Sequence, residues 1–285
     1  MIEYLKTVVV AVVTAVTTPL PVSSAAHFNY FANVVGLSAE SNILSLYYNT
    51  FIFVFSLVVF FAFRKTVCRG FRLGFSKKSE PGVSKPRDNK YFIKNILFSL
   101  IPAPLLFIPV SENKLAMDYL DTFLNVNGLI LAGFACVISA MILIIAIWYT
   151  SKSKNPVRRA VDKKTVLRIA VYQLPCYIIP GFSHIASGAV NLFISDIGSK
   201  SLFGQLYIYL APSMFFVSSV KIIRLLSSGV LFDPIALLLG AVVFAVVSRL
   251  VISLSTKSDV RRLFTFFSAY SILFGVLITV TSFFI

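Results

Sequence analysis

The sequence has few charged residues, few acids and few cysteines. Charged side chains make up 13% of its 285 residues, and only 11 side chains are acidic; soluble domains carry about 25% charged residues. Hydrophobic residues make up 58% of the chain, and the mean hydropathy is +0.87. The three cysteines have no CxxC or metal-ligand spacing. These absences exclude a water-soluble enzyme, a disordered chain and a disulfide scaffold, and they predict an integral membrane protein.

The 26 Lys and Arg residues are clustered between apolar runs. Ten lie between residues 64 and 94, seven between 152 and 168, and four between 249 and 262. The positive-inside rule places such segments in the cytoplasm. We therefore predict a basic cytoplasmic loop at 64–90, both termini outside, and no nucleic-acid partner. A basic tract that binds nucleic acid is the alternative explanation of the net charge of +15.

Six apolar runs are close to the roughly 20 residues that a transmembrane helix needs. They are residues 44–63, 91–110, 124–149, 202–220, 231–247 and 263–285. Pro102, Pro104 and Pro109 predict kinks in the second run.

Two further apolar segments, 7–36 and 166–192, are interrupted by proline and predict re-entrant helix hairpins. The first is interrupted by Pro19 and Pro21, the second by Pro175 and Pro180. A signal peptide is the alternative for the N-terminal segment, but Glu3 and Lys6 cancel the positive charge that its start requires. In the first hairpin we expect a short helix that is capped by Ser23 or Ser24 and runs to about residue 36.

The two hairpins have a common pattern, apolar-Pro-x-x-Ser, which begins at Leu20 and again 159 residues later at Ile179. Each hairpin is followed by three predicted spans, and an odd number of spans requires the halves to be inverted. The predicted fold is a single membrane domain, 1–285, with repeats at 1–150 and 151–285. In class it is an all-α integral membrane protein with six transmembrane helices and two re-entrant helix hairpins arranged as an inverted repeat.

The only two histidines, His27 and His184, each lie at or just beyond one of these breaks. A broken helix exposes backbone N–H groups and a positive helix end, which favour an anion such as phosphate. Ser23, Ser24 and Ser183 would add hydroxyl donors. Two simpler explanations stay open: a membrane histidine often links two helices, and a serine after proline is often only an N-cap.

Residues 17–27, Thr-Thr-Pro-Leu-Pro-Val-Ser-Ser-Ala-Ala-His, carry a family resemblance. They resemble the first signature of the undecaprenyl-pyrophosphate phosphatases of the bacitracin-resistance type, Glu-x-x-x-Glu-x-Leu-Pro-Val-Ser-Ser-x-x-His. Residues 180–184 resemble the second, Pro-Gly-Phe-Ser-Arg-Ser-Gly. The resemblance covers the whole chain and implies a bacterial plasma-membrane protein that acts on an undecaprenyl (polyprenyl) diphosphate carrier in cell-wall synthesis.

The resemblance also implies residue roles. His27 and Ser24 would be catalytic, and the substrate-binding set would be Thr14, Thr18, Pro21, Ser23, Gly181, Ser183 and His184. Thr14 and Thr18 stand where the family has glutamates, and His184 stands where it has arginine. A Mg²⁺ or Ca²⁺ ion is implied by the family, yet all 11 acids lie in predicted loops or at span ends, so we predict no metal ligands.

The resemblance favours a phosphatase, whereas the missing charged residues favour a transporter, flippase or binder of polyprenyl phosphate or another anionic lipid that does not hydrolyse it. An inactive paralogue is the third possibility. If there is one phosphate site, we expect Thr14, Thr18, His27, Ser183 and His184 to converge on it.

Overall fold

A computed structural model describes residues 2–37, 40–75, 86–111, 114–115, 128–152 and 161–283. Its helices are α1 Ile2–Thr17, α2 Ser24–Val34, α3 Ser41–Phe75, α4 Pro86–Ser99, α5 Pro102–Leu106, α6 Gly128–Ser151, α7 Lys163–Ile178, α8 His184–Ile194, α9 Ser199–Ser227, α10 Pro234–Ser255 and α11 Val260–Thr281. Two short antiparallel strands, β1 Pro109–Ser111 and β2 Lys114–Leu115, follow α5. The described part of the chain is therefore almost entirely helical, as predicted.

Within the described ranges, five helices are long and apolar enough to cross a membrane: α3, α6, α9, α10 and α11. They carry large apolar side chains on their outer faces, for example Ile145, Leu238 and Leu273, which are 62 to 72% exposed. Such faces are unfavourable in water and suited to lipid. The prediction of a multi-pass membrane protein is confirmed.

The run predicted at 91–110 is broken. Helix α4 ends at Ser99, α5 begins at Pro102, and Pro109 lies in β1. A proline has no backbone N–H to continue the helix ladder and its ring crowds the preceding turn. The apolar helical stretch Phe92–Leu106 is consequently shorter than the five spans.

The basic segment 64–90 is helical wherever it is described. Helix α3 continues beyond the apolar run to Phe75, with non-helical backbone angles at Phe63, and α4 already begins at Pro86. Lys and Arg have good helix propensity, so a change from apolar to basic residues does not itself end a helix. The predicted loop is wrong for residues 64–75 and 86–90, and residues 76–85 lie outside the described ranges.

The two segments predicted as hairpins each contain two helices joined by a short break. We call residues 18–23 the first break and residues 179–183 the second break. Ser23 is the N-cap of α2 and Ser183 is the N-cap of α8. The interruption predicted at Pro175 is wrong, because α7 continues through it to Ile178; one proline removes a single ladder bond without ending the helix.

Helix packing follows a paired pattern. Helix α1 packs against α10, and α7 packs against α4, while α3 packs against α9 and α6 against α11. Gly133 and Gly275 lie where α6 crosses α11, and a Cβ on either glycine would meet the other's carbonyl oxygen. The backbones of these two helices therefore approach closely, as small residues permit in membranes.

Candidate functional site

The two breaks are joined by a hydrogen bond. The backbone N–H of Gly181 donates to the Ser23 hydroxyl oxygen at 3.0 Å, across 158 residues of sequence. The same oxygen accepts the N–H of Ala26 at 3.2 Å as the α2 cap. Gly181 has a φ of +121°, and a Cβ there would collide with the carbonyl oxygen of Ala132 in α6. Glycine is therefore required where the second break meets the first.

His27 connects α2 to α11. Its Nδ1–H donates to the Ser23 carbonyl oxygen at 2.6 Å, and its Nε2 accepts from the Tyr270 hydroxyl at 2.8 Å in the neutral ring. The ring stacks on Phe274 with centroids 3.7 Å apart and is 1% exposed. Both ring nitrogens are thus engaged: Nδ1 bonds the cap of its own helix, and Nε2 links α2 to α11.

Thr14 and Thr18, which the resemblance places at the positions of the family glutamates, are buried and bonded to carbonyls of α1. The Thr14 hydroxyl donates to the Val10 carbonyl oxygen, and the Thr18 hydroxyl donates to the Thr14 carbonyl oxygen, each at 2.7 Å. A threonine hydroxyl commonly donates in this way to the carbonyl four residues earlier. Their hydrogen atoms are therefore already committed to local structure.

His184 is placed differently from His27. It is the first residue of α8, directly after the cap Ser183, whose hydroxyl accepts the Ala186 N–H at 3.2 Å. The ring is 8% exposed and lies against Tyr177, with centroids 4.5 Å apart. Its Nδ1 is buried and has no hydrogen-bond partner.

His184 lines a cavity of about 330 Å³. The cavity lies between α2, the start of α3, the second break and the C-terminal half of α9. Its polar lining residues are Asn29, Ser41, Asn42, Ser45, Tyr48, Asn49, Cys176, Tyr177, His184, Ser218 and Lys221. Among these lining residues Lys221 has a formal charge and none is Asp or Glu. The cavity is therefore suited to an anion with apolar parts nearby.

The predicted site residues are only partly brought together. Ser23 and Gly181 meet directly, and the Ser24 hydroxyl lies 3.1 Å from the hydroxyl of Tyr48, which lines the cavity. Pro21 is buried in the first break. His184 lines the cavity, whereas Thr14, Thr18, His27 and Ser183 are not among its lining residues. The expected convergence of both histidines on one space is not seen at this cavity, and the catalytic roles of His27 and Ser24 stay predictions.

Sequence reasoning missed Lys221, Asn49 and Tyr48. Lys221 follows Ser218 and Ser219 within an apolar stretch and reads as a span end, yet it lies inside α9. Asn49 lies inside the apolar run of α3. A polar or charged residue within a membrane helix is by default a functional candidate, and this signal was available in the sequence.

The donor set does not fit a divalent cation held by carboxylates. Over the described ranges, no group of three or more His, Cys, Asp or Glu side chains is close enough to hold a metal. Glu40, just before α3, is exposed and is not among the cavity-lining residues. Mg²⁺ and Ca²⁺ prefer carboxylate oxygens, and the two threonines have only hydroxyls in their place.

Comparison with known proteins agrees with the resemblance. A family model described as bacitracin resistance protein BacA matches residues 7–277. The chain is 26% identical to an undecaprenyl-diphosphatase of Lactobacillus delbrueckii subsp. bulgaricus, over 98% of each chain. It is 26% identical to undecaprenyl-diphosphatase 1 of Clostridium acetobutylicum and 25% to an undecaprenyl-diphosphatase of Acetivibrio thermocellus, each over 98% of this chain and 97% of the relative. The chain belongs to the BacA family of bacitracin resistance proteins.

Proposed function

We propose that this protein is an undecaprenyl-diphosphatase-like enzyme that hydrolyses a polyprenyl diphosphate at the cavity beside the two breaks. Its relatives over nearly the full length are named undecaprenyl-diphosphatases. The observation that carries the proposal is the cavity itself, where Lys221 and His184 lie beside the second break. Hydrolysis adds water across the phosphoanhydride bond and leaves a polyprenyl phosphate and inorganic phosphate.

In this proposal the chain's own residues bind and orient the diphosphate. Lys221 would neutralise phosphate charge, and a cation in a membrane interior is far more effective than in water because the local dielectric is low. His184 would hydrogen-bond a phosphate oxygen through its unpartnered Nδ1. Ser23, Pro21, Gly181 and Ser183 would keep the two breaks in register.

The roles of His27, Ser24, Thr14 and Thr18 are part of the same proposal. Ser24 would act through the hydroxyl that faces Tyr48. His27 would have to release Tyr270 before its Nε2 could act on a phosphate or a water. In its present contacts it positions the start of α2.

We further propose six spans, with α4 and α5 as a broken sixth, two re-entrant hairpins and an inverted repeat of 1–150 and 151–285. The offset of 159 residues relates α1 to α7, α4 to α10 and α3 to α9, and the packing of these helices supports the repeat. Helix α1 packs against α10, and its equivalent α7 packs against α4, the equivalent of α10. Helix α3 packs directly against its own equivalent, α9. A two-fold relation between the halves produces such pairs.

The proposed orientation places the basic segments in the cytoplasm of a bacterium and both termini outside its plasma membrane. The cavity is near the start of α3 and the start of α6, and near the C-terminal half of α9. In this orientation all three lie toward the outer face. A lipid headgroup would therefore enter from outside the cell.

A non-hydrolytic carrier, flippase or binder is the second candidate. It is favoured by the absence of Asp and Glu among the cavity-lining residues and by the engagement of both His27 nitrogens. General acid–base catalysis needs a titratable group within hydrogen-bond reach of the reacting atoms. A carrier needs only reversible binding.

Phosphate release from farnesyl diphosphate by the purified protein in detergent decides between the two, with and without added Mg²⁺ or Ca²⁺. We expect release that is lost in His184→Ala and retained in Lys257→Gln, an exposed lysine beyond the end of α10. Bound lipid with no release under any of these conditions would overturn the phosphatase and favour the carrier.

A further inference from the structure

Among the residues that line the cavity, one side chain has a formal charge, that of Lys221, and none is a carboxylate that could hold a cation. Lys221 and His184 both line this space. A divalent cation in the same small space would be repelled by the ammonium group, and the low dielectric would strengthen that repulsion. An anionic group would be attracted for the same reason.

His184 provides an independent indication of a ligand. Its side chain is 8% exposed, and its Nδ1 is buried without a hydrogen-bond partner. A buried polar atom left unpaired destabilises a structure relative to one in which that atom is hydrogen-bonded. The Nδ1 atom itself has almost no exposed surface, so a small turn of the ring would bring it to a phosphate oxygen in the cavity, at the N-terminal end of α8, where the helix dipole also favours negative charge.

Neutral polar groups complete the phosphate environment. Asn42 approaches from the start of α3, and Asn29 approaches from α2 on another side of the cavity. The Ser218 hydroxyl, three residues before Lys221 on α9, donates to the Met214 carbonyl oxygen of its own helix at 2.6 Å and is therefore already committed. Amide and ammonium groups bind phosphate oxygens directly, without an intervening metal.

We infer that this chain binds the phosphate headgroup of its lipid directly, with no divalent cation between phosphate and protein, and that Lys221 provides the countercharge. The inference rests on the proposed function for the identity of the lipid. It separates this chain from a site in which carboxylates hold a cation, because Thr14 and Thr18 occupy the glutamate positions and their hydroxyls bond their own helix.

The test measures binding, not turnover. The full chain is placed in nanodiscs of phosphatidylcholine, and the affinities of fluorescent farnesyl phosphate and farnesyl diphosphate analogues are measured in EDTA, in Mg²⁺ and in Ca²⁺. We expect EDTA to leave both affinities unchanged within about twofold. Lys221→Gln should weaken both by about tenfold, equivalent to about 1.4 kcal/mol, and Lys221→Arg should restore most of the affinity because it keeps the charge. Lys257→Gln is the matched control and should bind like the parent.

Binding that disappears in EDTA and returns with Mg²⁺ or Ca²⁺ would overturn the inference and leave the phosphatase proposal intact. Unchanged binding in Lys221→Gln would also overturn it. If Lys221→Gln does not fold, His184→Ala tests the neighbouring contact with the same phosphate because it removes the ring nitrogens, and full affinity in that variant would count against the inference. Cation-independent binding without phosphate release would support the inference while overturning the phosphatase.

Discussion

The first and second breaks share a sequence pattern and a capping serine, yet their histidines are in opposite states. In the helix after the first break, His27 has a partner for each ring nitrogen and stacks on Phe274. In the first break itself, the carbonyl oxygen of Pro19 is also bonded, by the Tyr207 hydroxyl at 2.8 Å. In the helix after the second break, the Nδ1 of His184 has no partner and its ring lines the cavity.

This difference distinguishes a histidine that stabilises the fold from a histidine that can bind a ligand. A histidine with both nitrogens bonded contributes to the packing of α2 against α11, and its removal should act mainly on stability. A buried histidine with an unpartnered nitrogen destabilises the structure until a ligand arrives, and its removal should act mainly on binding. The four comparisons below test that division, beginning with the largest effect.

Gly181→Ala should prevent stable folding. The added Cβ would collide with the Ala132 carbonyl oxygen, and the positive φ of Gly181 disfavours any side chain. We therefore expect the free energy of unfolding to fall by more than about 3 kcal/mol. Gly229→Ala is the control, because Gly229 also has a positive φ, +77°, but has no neighbouring atom within 4 Å of the added Cβ; it should lose about 1 kcal/mol. Thermal unfolding and size-exclusion profiles in detergent measure the stability of both variants. Equal losses of stability would contradict the close contact between Gly181 and the Ala132 carbonyl.

Ser23→Ala should destabilise the protein more than Ser183→Ala. The Ser23 hydroxyl accepts two N–H groups, from Ala26 and Gly181, whereas Ser183 accepts the Ala186 N–H. In thermal unfolding we expect the free energy of unfolding to fall by about 2–3 kcal/mol in Ser23→Ala and by about 1 kcal/mol in Ser183→Ala, because buried N–H groups would be left unpaired. Equal destabilisation would mean that the bond between the breaks adds nothing.

His27→Ala should lower stability, and His184→Ala should lower affinity. Removing His27 loses the stacking on Phe274 and two hydrogen bonds, about 2 kcal/mol or more. Tyr270→Phe removes one of those bonds and should lose about 1 kcal/mol. His184→Ala should leave unfolding nearly unchanged and weaken binding of farnesyl diphosphate. If instead His27→Ala unfolds like the parent but abolishes phosphate release, His27 has the catalytic role that the resemblance implies.

Thr14→Val and Thr18→Val should have the smallest effects. Each hydroxyl donates to a carbonyl of α1, and that carbonyl keeps its backbone hydrogen bond when the hydroxyl is lost. We therefore expect the free energy of unfolding to fall by less than about 1 kcal/mol. Affinity for farnesyl diphosphate should fall less than in His184→Ala. A larger fall would show that the threonines bind substrate in place of the glutamates.

Much of the fold was predictable because its determinants are local. Long apolar runs predict the five spans, and serines after a proline predict an α2 cap at Ser23 or Ser24, of which Ser23 is the cap. The errors also have local causes. The helix continues through Pro175, where the sequence predicts an interruption, because one proline does not end a helix. The basic residues after Phe63, predicted as a loop, continue the helix because they favour it.

The site was less predictable because its contacts join distant parts of the chain. Tyr270 is 243 residues from His27, and no pattern near either residue reveals the bond between them. Lys221 reaches the second break only because α9 packs beside α8. The sequence pattern singles out both histidines, but only tertiary packing distinguishes His27, which is bonded through both ring nitrogens, from His184, which lines a cavity.

The packing of α1 and α2 has a consequence for biosynthesis. Helix α1 lies against α10, and His27 of α2 lies against Tyr270 and Phe274 of α11, so these partners are synthesised long after α1 and α2. The Ser23 hydroxyl likewise accepts the Gly181 N–H only after that residue has been made. Helices α1 and α2 therefore lack these contacts until residues beyond about 270 have been made. A ribosome stalled before that point would hold a chain whose α1 and α2 are without these neighbours, and incompletely packed segments of this kind are bound by chaperones.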